Sequence, residues 1–220
     1  MRSLDLGAMG RDMDKIMIVS TIRHGETDFN KEKRYCGTTD VPLNHAGRED
    51  AILVANKLSG VNFDVIISSK LIRAVETAQV LLSNGAKFIQ SELCNERNYG
   101  RIQGMTGDEV KWVRPPLQYL YRGDDYHSLN PPGGETFEEL RERAKNFYQF
   151  IFEKFSGCNL LVVSHGVFLQ QFHGLIRGKN WMDSLEKNVR NFEYTTFKFV
   201  NGHLVNETSV NLADREQSDW

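Results

Sequence analysis

The sequence predicts an α/β fold, a three-layer α/β/α sandwich with a mostly parallel central sheet, and three observations carry that prediction. Short, continuously apolar runs are the mark of strands covered on both faces. Longer stretches between them hold apolar residues at helical spacing. Strands that alternate with helices build βα units and a doubly wound sheet. At 220 residues the chain has the length of one domain with a well-buried core, and it is read as a single domain over 1–220.

The elements follow in order. Residues 1–14 mix Arg2, Asp5, Arg11, Asp12 and Asp14 with few apolar positions, which is no signal-peptide profile, and they read as a flexible N-terminal extension. Ile16 to Ile22 is Val/Ile/Thr-rich and too short for a helix, so it is the first strand. Phe63 to Ile67 and Asn159 to Val163 have the same character, and Lys87 to Leu93 is a less apolar strand candidate. Helical spacing runs over Ala46–Leu58, Leu71–Leu82 and Phe137–Phe155. The last opens on a Thr136-x-x-Glu139 capping box, and Thr106-x-x-Glu109 marks another helix start. Residues 105–134 hold Pro115-Pro116, Pro131-Pro132 and Gly133-Gly134 without a sustained period, and are taken as an insertion over the active site. Tyr194–Val200 and Leu204–Val210, joined by Asn201-Gly202, form a hairpin.

Composition removes several functional classes. A net charge of −2 and a pI near 6.3 provide no global basic field, which argues against nucleic acid or an anionic membrane surface as partner. Cys36, Cys94 and Cys158 are too few and too widely spaced for a disulfide framework or a zinc site. With no apolar run of membrane-spanning length, the chain reads as soluble and cytoplasmic. His45, His127, His173 and His203 lack metal-ligand spacing, and no metal or other cofactor is expected. Only His127, in the insertion, has a path to a substrate. The edge of the hairpin leaves monomer and homodimer both open.

Four segments place phosphate-competent side chains just after a strand or in the helix start that follows, at the sheet edge where α/β folds bind ligands. In Arg23-His24-Gly25-Glu26-Thr27 an arginine fork, an imidazole nucleophile and a permissive glycine stand together. Arg73, in Ser68-Ser69-Lys70-Leu71-Ile72-Arg73-Ala74, lies in the first turn of a helix, where the dipole favours an anion. Glu96-Arg97-Asn98-Tyr99-Gly100 supplies a carboxylate suited to proton transfer, and Ser164-His165-Gly166 a second histidine. Lys70, Arg97 and Arg101 read as solvated cations.

In that order the four segments resemble the histidine phosphatase superfamily, whose fold is phosphoglycerate mutase-like. The resemblance runs from Lys15 to about Val210. Tyr35-x-Gly37-x-x-Asp40-x-Pro42-Leu43 is similar to the α-ribazole phosphatase-type branch. The resemblance implies that His24 accepts the phosphoryl group and that Glu96 protonates the leaving alcohol. It also implies that Arg23, Arg73 and His165 hold the phosphate oxygens, with Asn30 and the Gly37 backbone assisting. Thr27, Tyr99 and Gly166 complete the expected phosphate- and substrate-binding set, although Tyr99 fits core packing equally well. The implied activity is a metal-independent phosphomonoesterase acting on a small phosphorylated metabolite through a phosphohistidine. The alternative is a cofactor-dependent phosphoglycerate mutase, which Asn95 to Gly100 also resembles. Mutases of that family grip the substrate carboxylate with two adjacent arginines, and here the insertion offers only the isolated Arg114 and Arg122. A non-catalytic anion binder would have no need of a nucleophile.

Overall fold

The computed structural model describes residues 15–82, 85–122 and 125–213; the extension expected over 1–14 lies outside the described residues. The strands are β1 (Ile16–Arg23), β2 (Val65–Ser68), β3 (Lys87–Gln90), β4 (Tyr119–Arg122), β5 (Asp125–Ser128), β6 (Asn159–Ser164), β7 (Glu193–Val200) and β8 (His203–Asn211). The α-helices are α1 (Asp28–Lys31), α2 (His45–Lys57), α3 (Ile72–Leu81), α4 (Phe137–Lys154) and α5 (Gly166–Ile176).

Six strands form one sheet in the order β3-β2-β6-β1-β7-β8. The first four are mutually parallel and the C-terminal hairpin β7–β8 is antiparallel, so the sheet is mostly parallel, as expected. Alternate residues of a strand face opposite sides of a sheet. Val19, Ile67, Leu160 and Val162 therefore join one core with α4 and α5, while Ile22, Ile66, Leu161 and Val163 join another with α2 and α3. These two cores make the three layers. β1 and β6 are hydrogen-bonded neighbours with Arg23 opposite Ser164, and β2 ends level with them, Ser68 opposite Val163. Three strand ends thus open on one edge.

Several stretches differ from the sequence reading, among them the Lys87–Leu93 strand candidate, which stops at Gln90 and gives way to a 3-10 turn over Glu92–Cys94. Thr106 and Glu109 exchange hydrogen bonds as a capping box would, but the element they open is a short 3-10 turn, Glu109–Trp112, rather than an α-helix. Residues within 105–134 form the β4–β5 hairpin, in which the Tyr119 and Tyr126 rings meet edge-on at 5.4 Å. Helix α5 is buried along Phe168 to Gly174, and that stretch includes the polar Gln170, Gln171 and His173. Among the described residues no helix is long and apolar enough to cross a membrane.

Candidate active site

β1 delivers Arg23 and then His24 to the open edge. A carbonyl can only accept and a guanidinium can only donate, which fixes the His24 tautomer. Nδ1 lies 2.7 Å from the Gly25 carbonyl and so carries the proton. Nε2 receives the Arg73 Nε–H at 3.2 Å and so presents its lone pair. Burial, then the charges of Arg73 and Arg23, holds His24 well below the ordinary histidine pKa, against the opposing pull of the Gly25 hydrogen bond. The His24 carbonyl accepts from Asn191 Nδ2 at 2.6 Å, a contact that no motif signals.

Arg73 is fully buried, and its terminal nitrogens donate to the carbonyls of Gly37 at 2.7 Å and Thr39 at 2.9 Å. Gly37 has φ +55°, a left-handed conformation that glycine adopts without strain. Arg23 donates to the Val189 carbonyl at 2.8 Å and lies under Gly166, where a Cβ would stand 3.4 Å from its guanidinium. Glu96 accepts from the backbone N–H groups of Arg97, Val167 and Phe168 at 2.8, 3.2 and 3.0 Å. It therefore caps α5, whose N-cap residue His165 offers no side-chain bond. Arg143 braces the Glu96 segment by donating to the carbonyls of Asn95 and Glu96, at 2.7 and 3.2 Å.

One cavity is lined by Arg23, His24, Asn30, Gly37, Arg73, Glu96, Tyr99 and Gly166 of the sequence-derived set. His165 and Thr27 lie behind its wall. The His165 ring centroid is 5.0 Å from that of His24, its Nε2 bonds Ser69 Oγ at 2.6 Å, and burial lowers its pKa further than any neighbouring charge does. Thr27 is fully buried; its hydroxyl donates to Asn30 Oδ1 at 2.9 Å and accepts from Asn30 N–H, so it caps α1 and orients Asn30. Tyr99 both lines the cavity and packs edge-on against Tyr35 at 5.2 Å.

Sequence reasoning missed Gln170, Asn188 and Val189 on the same wall, which Tyr35, Tyr126 and His127 also line. Arg97 is a correction, since it is fully buried rather than solvated. Its guanidinium lies 3.8 Å from the Phe137 ring centroid and donates to the carbonyls of Ser128 at 2.6 Å and Glu135 at 2.8 Å, which anchors the end of β5.

Residues 19–211 match the sequence pattern of the histidine phosphatase superfamily (branch 1). The chain is 32% identical over 194 residues to phosphoglycerate mutase-like protein 4 of Arabidopsis thaliana, covering 87% of this chain and 83% of that one. It is 38% identical over 139 residues to the fructose-2,6-bisphosphatase TIGAR of Xenopus tropicalis, covering 60% of this chain and 49% of that relative, about half its length. The solved α-ribazole phosphatase from Shigella flexneri has a TM-score of 0.77 at 21% identity, covering 92% of this chain and 100% of that one, a likeness of fold.

Proposed function

Because the chain belongs to the histidine phosphatase superfamily, we propose that it is a metal-independent phosphomonoesterase that hydrolyses a small phosphorylated metabolite through a phosphohistidine on His24. The observation that carries this reading is the tautomer. With its Nδ1–H held by the Gly25 carbonyl, His24 presents an unprotonated Nε2 among cavity residues.

In the first step Nε2 attacks phosphorus in line, the bond to the leaving oxygen breaks, and Glu96 delivers a proton to that oxygen. In the second, water attacks the phosphohistidine, Glu96 takes the water proton, and the P–N bond breaks to release inorganic phosphate. Phosphoryl transfer asks mainly for positioning and charge stabilisation. Arg23 and Arg73 supply the charge, Asn30 and the Gly37 backbone further contacts, and Arg73 moves its Nε–H from His24 to a phosphate oxygen as the substrate arrives. His165 supports the nucleophile from behind. Cys36, Cys94 and Cys158 are free thiols, which suits a reducing compartment such as the cytoplasm.

The test is a chelator-treated incubation with a radiolabelled phosphomonoester. Wild-type protein acquires acid-labile label and releases inorganic phosphate, whereas His24→Ala does neither; activity lost to chelator, or label on the variant, overturns the proposal. The mutase reading has less support, because neither Arg114 nor Arg122 lines the cavity and Arg122 lies 3.8 Å from Asp183 instead. Isomerisation of 3-phosphoglycerate in the presence of bisphosphoglycerate, without phosphate release, would reinstate it.

A further inference from the structure

We propose that Gln103 is a positioning residue whose one side-chain oxygen sets the spacing between the nucleophile half of the site and the proton-donor half; the inference rests on the phosphatase reading above. Gln103 is absent from the cavity wall, so it acts through its neighbours. Its Oε1 accepts three hydrogen bonds, from Thr38 N–H at 2.7 Å, Thr38 Oγ1 at 2.9 Å and Tyr99 N–H at 3.2 Å.

Each of those donors leads to one side of the reaction. Thr38 sits between Gly37 and Thr39, whose carbonyls hold the two terminal nitrogens of Arg73, and Arg73 Nε meets His24 Nε2. Tyr99 follows Glu96 by three residues in the segment that carries the acid. A continuous path of hydrogen bonds and short chain segments therefore runs from His24 through Arg73 and the 37–39 loop to Gln103, and on to the Glu96 segment. The ring contact between Tyr35 and Tyr99 also spans the two halves, but an apolar edge contact is far less directional than three hydrogen bonds on one atom.

The oxygen is itself held firmly. Gln103 N–H bonds the Gly100 carbonyl at 3.2 Å, and the residues that follow pair with the start of the loop, Gly104 N–H to Tyr35 O at 2.8 Å and Tyr35 N–H to Met105 O at 2.9 Å. The fit against the loop leaves no slack. A Cβ on Gly37 would stand 2.2 Å from Gln103 Oε1, so the loop closes directly onto the acceptor.

Gln103→Met keeps the approximate shape and removes the strong acceptor, whereas Gln103→Glu keeps an acceptor oxygen for all three donors. With p-nitrophenyl phosphate as the probe, Gln103→Met is expected to lower kcat by about tenfold or more with KM within about threefold of wild type, because small misplacements of reacting groups are costly to the chemical step. Gln103→Glu is expected to recover kcat to within about threefold of wild type, since charge does not weaken the acceptor. Wild-type kcat in the Met variant, equally slow Met and Glu variants, or a change confined to KM each overturns the proposal. Should Gln103→Met fail to fold, Thr38→Val deletes one of the three bonds and must still lower kcat, by about threefold. A wild-type protein that neither turns over this ester nor labels on His24 sinks the phosphatase reading instead. The positioning claim is then decided by the imidazole ¹⁵N resonances of His24, which Gln103→Met shifts and Gln103→Glu leaves in place; no shift in the Met variant overturns it.

Discussion

His24 is kept neutral by its surroundings, and that has a kinetic signature. Because burial and the two arginines depress its pKa, protonation sets in only at a pH below the ordinary value of about 6.5. The rate of His24 phosphorylation, followed by rapid quench, is accordingly expected to hold level as pH falls from about 7 through 6.5, and a rate halved near that value would contradict the arrangement. Gly37 carries a second prediction. Gly37→Ala places a Cβ against Gln103 Oε1 at a φ of +55°, so kcat is expected to fall by about tenfold or more while circular dichroism changes little. At this scale the sequence was informative wherever a motif follows a strand directly. Arg23, His24, Arg73 and Glu96 sit in such motifs and all line the cavity. His165 and Thr27 sit in them too, yet one layer back, and sequence order does not encode that depth. Asn191 and Val189 reach the site from a loop with no signature of its own.

At the scale of elements, the β4–β5 hairpin is tied down by a contact outside itself. Arg97 holds its base through the Ser128 carbonyl while lying on the Phe137 ring at the start of α4. Arg97→Met removes that tie, and backbone hydrogen exchange over 119–122 and 125–128 is expected to quicken by about tenfold while α4 keeps its protection. KM should rise as well, since Tyr126 and His127 form part of the cavity wall. Equal exchange in the hairpin before and after substitution would show that the anchor is idle. The same hairpin shows why some elements escape sequence reading. Strands β1 and β6 declare themselves by continuous apolar runs, and the Thr136–Glu139 capping box announces α4 to the residue. β4 and β5 are four-residue strands whose order comes from cross-strand pairing and tyrosine contacts, which are tertiary and leave no period.

The molecule as a whole carries a liability to acid. His173 on α5 is fully buried and bonded to Thr21 Oγ1 at 2.8 Å, and burial, then Arg177 and Lys187, pushes its pKa down to about 3. His24 and His165 are lowered as well. A histidine whose folded pKa is depressed takes up its proton more readily when unfolded. Its contribution is therefore fully present above about pH 6.5 and is lost as pH falls from there toward the folded value, at up to about 1.4 kcal/mol per pH unit for each such histidine. The urea midpoint is expected to be flat from about pH 8 to 7 and to drop below about 6.5. His173→Gln should make that drop shallower, and a midpoint indifferent to acid would show that these rings are not held neutral.

The side-by-side arrangement of β1 and β6 has a consequence for how such a protein can change. His24 and His165 each follow the last residue of their strand, and those last residues stand opposite one another. The ring separation of 5.0 Å is thus close to the repeat of about 4.8 Å that backbone hydrogen bonds impose on any sheet. The gauge of the two imidazoles starts from the ladder, and the Gly25 carbonyl and Ser69 hydroxyl then hold the rings in it. Substitutions within 119–122 and 125–128 are therefore expected to alter what is gripped while the pitch of the two rings stays fixed.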